Sequence, residues 1–190
     1  MGRQRTIVAL LALLAILAAS AAPALAQAQG SMMAVEQSDK DMMGALAATK
    51  DTSIPAMFFK AAGIEGMMKP GEKYTLFVAS DNVLKPMGSD MKNKVMENLK
   101  DRQKSTEFIR GHMINGMITP DQMTDGKTLT MMNGMTVKVH NTNSKMMVDD
   151  VNIVKAVRTS NGMIYVMGGI PSSIGSMMEQ MGMLPMKTTK

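Results

Sequence analysis

VNIVKAVRTSNGMIYVM, residues 151–167, is the stretch from which the architecture of this chain is read. Two apolar runs, Val151–Val157 and Met163–Met167, are joined through Ser160-Asn161-Gly162. Turn residues between two such runs predict a β-hairpin. Upstream, Thr128–Met132 and Met135–Val139 flank Asn133-Gly134, the strongest short hairpin signal. A two-residue turn there sets Met132 opposite Met135. Tyr74–Ala79 (YTLFVA) reads as a further strand by its β-branched and aromatic content. The earlier segments read as helices: Ser38–Ala48, Ile54–Ala62 with Ser53 as cap and Gly63 as stop, a short helix from Ser80-Asp81 to Met87, and Asp90–Leu99. Glu107–Ile114 runs apolar into an Asn115-Gly116 turn. Helices first and paired strands later predict an α+β domain with antiparallel pairing.

The composition is unusual. Methionine fills 26 of 190 positions, with no cysteine, no tryptophan and two histidines. Six methionine pairs occur, among them Met42-Met43, Met131-Met132 and Met177-Met178. Successive side chains diverge on a helix or a strand, so adjacent residues are not expected to face one core together. Part of the methionine is therefore expected at the surface. Thioethers without thiols suggest soft-metal chemistry, with Cu(I) first.

The N-terminus reads as an export signal, residues 1–26. Arg3 and Arg5 precede the apolar run Ile7–Ala19, and Ala24-Leu25-Ala26 forms an A-x-A cleavage site. The run is short for a bilayer span, which needs about 20 apolar residues. A periplasmic or secreted product follows, with a disordered leader at 27–37. Loss of Arg3 and Arg5 lowers the net charge from +5 to +3. With basic and acidic residues interspersed and only two Tyr and four Phe, nothing favours nucleic acid.

The order of segments resembles the fasciclin (FAS1) domain over about residues 38–174. Thr75–Leu84 is similar to the family's T-x-F-A-P-T-D-x-A-F block, and His112–Thr119 to its H-x-x-x-G-x-x-T stretch. Leu129–Val139 resembles a strand pair around a central glycine, and Asn152–Met167 the closing block. The resemblance implies an antiparallel β-sandwich or barrel-like sheet pair with N-terminal and flanking helices. It implies no common enzymatic activity. Gly111 stands where many members carry a tyrosine before the histidine, and Gly168 where an aspartate is usual. The first departure speaks against the adhesive role linked to that Tyr-His pair.

Three methionine groups are candidate metal sites. The first is the segment 175–190, read as a flexible tail. There Met177, Met178, Met181, Met183 and Met186 give five thioethers in ten residues, at M-x-M and M-x-x-M spacing. Two or three of them converging suit a d10 ion such as Cu(I) or Ag(I). The alternative is a helix packing Met177, Met181 and Leu184 on the domain. The second is His112 with Met113 and Met117, although the family's histidine is commonly structural and Met113 takes an apolar strand position. The third is Met131, Met132 and Met135 at a hairpin tip. Met57, Met91 and Met96 read as core, His140 as a surface residue, and Asp149-Asp150 as a solvated turn. No nucleophile–base pair or phosphate loop is legible, which argues against an enzyme.

The expectation is a FAS1 protein that binds Cu(I) through thioethers for copper storage, delivery or tolerance, with a copper-transport protein as a partner. A structural or adhesive FAS1 protein without metal, and an oxidant sink cycling methionine sulfoxide, are the alternatives.

Overall fold

The computed structural model describes residues 33–142 and 145–185. The export signal, the first part of the leader and Met186 lie outside the described residues. Among the described residues six α-helices and eight strands follow in order: β1 (Val35–Gln37), α1 (Met42–Ala48), α2 (Ser53–Ala62), β2 (Tyr74–Ala79), α3 (Asp81–Leu84), α4 (Gly88–Asn98), α5 (Arg102–Arg110), β3 (Met113–Asn115), β4 (Thr128–Thr130), β5 (Thr136–Thr142), β6 (Lys145–Val148), β7 (Val151–Thr159), β8 (Gly162–Met167) and α6 (Ser172–Gln180).

The sheet runs β3-β2-β8-β7-β6-β5-β4, with β1 added on β7. Its pairing is mixed: the expected antiparallel pairs are present, and two parallel pairs join them. β2 lies parallel to β8 in the register Phe77↔Tyr165, and β1 lies parallel to β7. The two ends of the sheet approach one another, because the Met132 N–H donates to the Met113 carbonyl across 2.8 Å. The result is a nearly closed barrel.

Burial explains the sequence pattern of each strand. β2 and β8 are buried almost throughout, as expected of parallel neighbours covered on both faces. Their near-continuous apolar runs follow from that, and Phe77 stacks on Tyr165 at 5.4 Å. On β5, by contrast, Val137 and Val139 are buried while Thr136 and Lys138 are exposed, so one face meets solvent.

Local chemistry accounts for the helix starts. Asp41 caps α1 by accepting from the Gly44 N–H at 2.7 Å. Asp81, buried at the end of β2, accepts from the Ser53 N–H, the Ser53 hydroxyl and the Ile54 N–H, and so holds the first turn of α2. Burial alone would raise the Asp81 carboxyl, but these hydrogen bonds outweigh it and hold the group below its ordinary value. The leader is not wholly irregular, since Val35–Gln37 form β1 against Ala156–Arg158.

The largest departure concerns the segment from 175 onward. Through Pro185 it is a packed helix and its cap, not a flexible tail. Ile174, Gly175, Met177 and Met178 of α6 are buried. At its C-terminus the Met183 N–H reaches the Met178 carbonyl and the Gly182 N–H the Glu179 carbonyl. This is the Schellman arrangement, with Gly182 at φ +70 and Met183 buried as its hydrophobic partner. At the N-terminus the Ser173 hydroxyl donates to Asp149 and the Ser172 N–H to Asp150. The Asp149-Asp150 turn is thus a staple for α6 as well as a solvated bend.

Candidate functional site

His112 stands at the corner between α5 and β3. It is buried, and its ring lies 4.5 Å from that of Phe108 and edge-on to Phe59 at 5.4 Å. Its Nδ1 lies 2.7 Å from the Phe108 carbonyl. A carbonyl only accepts, so Nδ1 carries the proton and Nε2 keeps the lone pair. Burial pulls the imidazole down to about 4, with the Phe108 hydrogen bond opposing in part, and the ring is neutral at pH 7.

Beside the ring is a small cavity of about 30 Å³ between α2, α3, α5, the ends of β2 and β8, and α6. Phe58, Phe59, Val78, Leu84, Phe108 and Ile174 supply much of its lining. The only lining side chains with a heteroatom are His112, Met167 and Met178.

Gly111 precedes His112 and admits Met177. A Cβ at residue 111 would fall 2.1 Å from the Met177 sulfur, so the thioether occupies the room a side chain would need. The amide of Asn133 donates to that sulfur at 3.5 Å and to Glu107 Oε1 at 2.7 Å. Arg110 donates to the Met132 carbonyl. The three candidate groups, separate in sequence, therefore meet at one pole of the barrel: His112–Met113, the 131–135 turn, and α6.

Within that pole most thioethers are inside. Met113, Met131, Met177, Met178 and Met183 are buried, while Met132, Met135 and Met181 are half-buried. The open hairpin tip expected at 131–135 is absent, because the turn is wider than predicted. Met131, not Met132, faces Met135, through a 2.8 Å hydrogen bond from the Met131 N–H. Met117 lies beyond the far end of β3 and does not join the pole.

Two further expectations on methionine are corrected. Met42-Met43 and Met177-Met178 are both buried as pairs, since α1 and α6 are sunk between neighbours and a wide arc of each is covered. Met57, read as core, is 43% exposed and is the one exposed methionine among the described residues. Sequence reasoning missed Met167 as a member of the His112 cavity. Its signal, the position at the end of the closing block, has meaning only once β8 is laid parallel to β2.

Among the described residues no group of three or more His, Asp or Glu is placed to hold a metal ion. Nor is any helix there long and apolar enough to cross a membrane.

The chain is similar to the FAS1 domain pair of the insect cell adhesion molecule fasciclin I, with a TM-score of 0.55 and 14% identity. The match covers 68% of this chain and 50% of that one, so the chain spans half the length of that structure. No curated protein sequence matches it significantly. The family model for the fasciclin domain matches residues 50–170, which is more than half of the chain, and the protein belongs to the fasciclin (FAS1) domain family.

Proposed function

We propose that this protein is an exported, non-catalytic FAS1 binding module that takes up Cu(I) through methionine thioethers, for copper storage, delivery or tolerance. One observation carries the reading: α6, the 131–135 turn and the α5–β3 corner, each bearing methionines, meet at one pole of the barrel, where the Met177 sulfur sits over Gly111 next to the buried neutral imidazole of His112. Neutral soft donors suit a monovalent d10 ion and need lose no proton on binding. Burial revises the mechanism expected from sequence. Stepwise ligand exchange with a copper-transport partner proceeds from the half-buried Met132, Met135 and Met181 inward, not along a loose tail.

A Cu(I) competition titration of the chain from Gln27 onward, under reducing conditions, tests the reading. Binding tighter than about micromolar is expected, and its absence removes copper as the function.

A second reading, a structural or adhesive module, is favoured by the similarity to a cell adhesion molecule. It predicts that capture of a surface polymer or receptor is unchanged by a copper chelator. An oxidant sink has less support, because exposed sulfur is scarce among the described residues.

A further inference from the structure

The cavity beside His112 is too small for an organic ligand, whose pockets run to hundreds of Å³. At about 30 Å³ it has room for one water molecule or one ion. Water is poorly served there, since it needs two to four polar partners. Among the lining side chains only His112 carries a strong polar atom, the nitrogen that is not bonded to the Phe108 carbonyl. A divalent cation is also poorly served, because no carboxylate lines the cavity to offset its desolvation.

We infer that this cavity is a single-ion site for Cu(I), with His112 Nε2 and the sulfurs of Met167 and Met178 as donors. The inference rests on the copper reading for the identity of the ion and adds the place where it is held. Three neutral donors, two of them soft, match a monovalent d10 ion that imposes little geometric demand. The Nδ1–H bond to the Phe108 carbonyl is the kind of outer support that orients a ligating histidine.

The donors come from three separate elements. His112 is held by the α5–β3 corner, where its carbonyl accepts from the Phe77 N–H at 2.9 Å. Met167 ends β8, and Met178 belongs to α6. A bound ion therefore ties α6 to the barrel. Met177, seated over Gly111 one residue away, holds the helix in the register that brings Met178 to the cavity.

The test uses the chain from Gln27 onward and its Met167→Leu and Met178→Leu variants, whose near-equal volumes keep the fold. Met57→Leu and Met91→Leu, on α2 and α4 and outside both the cavity lining and the route of ligand exchange, serve as controls. Cu(I) affinity is read by competition with a chromophoric chelator. Ag(I), a redox-stable probe, is read by the nitrogen resonances of His112 in the unsubstituted chain. Expected are at least about tenfold weaker Cu(I) binding in both cavity variants, the scale on which changes near a metal weaken it, near-unchanged controls, and a shift of the His112 Nε2 signal on adding Ag(I). Cu(I) binding that survives both cavity substitutions, or an unmoved Nε2 signal, overturns this site and leaves copper binding at the pole standing. Failure of the unsubstituted chain to bind Cu(I) overturns both.

Discussion

Single side chains at the α5–β3 corner set much of the behaviour of this protein. Histidine 112 is neutral in the fold, with burial lowering it from 6.5 to about 4. Between those values the unfolded chain binds a proton that the folded chain does not, so stability rises with pH across the window. The contribution is fully present above pH 6.5 and is lost as pH falls toward 4. Its upper bound is on the order of 3 kcal/mol. Urea denaturation of the metal-free chain at pH 7 and pH 5 is expected to show the loss, and His112→Phe to remove that pH dependence. Gly111 makes a second test. Gly111→Ala would force the Met177 sulfur from its seat, and a loss of about 1 kcal/mol is expected, the low end for overpacking because a methionine tip is flexible. Unchanged stability in that variant would mean that Met177 packs elsewhere.

At the scale of elements, α6 is the part whose role differs most between sequence and structure. The spacing of Met178, Met181 and Met183 suggests a chelating peptide, and the same letters spell a helix end. Residues Met178, Gly182 and Met183 occupy the C3, C′ and C″ positions of a Schellman cap. Gly182 at φ +70 is essential to it, because a side chain there enters the left-handed region at a cost of about 1 kcal/mol. Gly182→Ala is expected to destabilise by that amount and to lower hydrogen-exchange protection chiefly in the last turn of α6. Uniformly lowered protection across the barrel would contradict a local cap. Strands were more legible than helix ends. Tyr74–Ala79 emerges with the predicted bounds, and the Ser160-Asn161 turn joins β7 and β8 as expected. The 131–135 turn differs because a wider loop places Met131 inside and lets Asn133 reach Glu107 and Met177. Those are tertiary contacts, and an Asn-Gly signal carries no information about them.

For the whole molecule, the distribution of sulfur is the quantity to measure. Among the described residues eleven methionines are buried and Met57 alone is exposed. Mild peroxide treatment of the folded chain, read by peptide mass spectrometry, is expected to oxidise Met57 before the other described methionines and to spare Met113, Met163 and Met167 until unfolding. Equal oxidation of buried and exposed positions in a chain that keeps its fold would revive the oxidant-sink reading.

Amino-acid order alone carried the α+β class, the principal strands and the family resemblance, because these follow from short-range periodicity and turn chemistry. It also carried the soft, thiol-free donor set. It did not carry the parallel pairing of β2 with β8, the docking of α6, or the meeting of His112, Met167 and Met178 at one cavity. Those positions are separated by 55 and 11 residues along the chain. Their proximity arises from sheet order and from a helix seated on a glycine, both long-range packing choices that a local pattern of apolar residues leaves open.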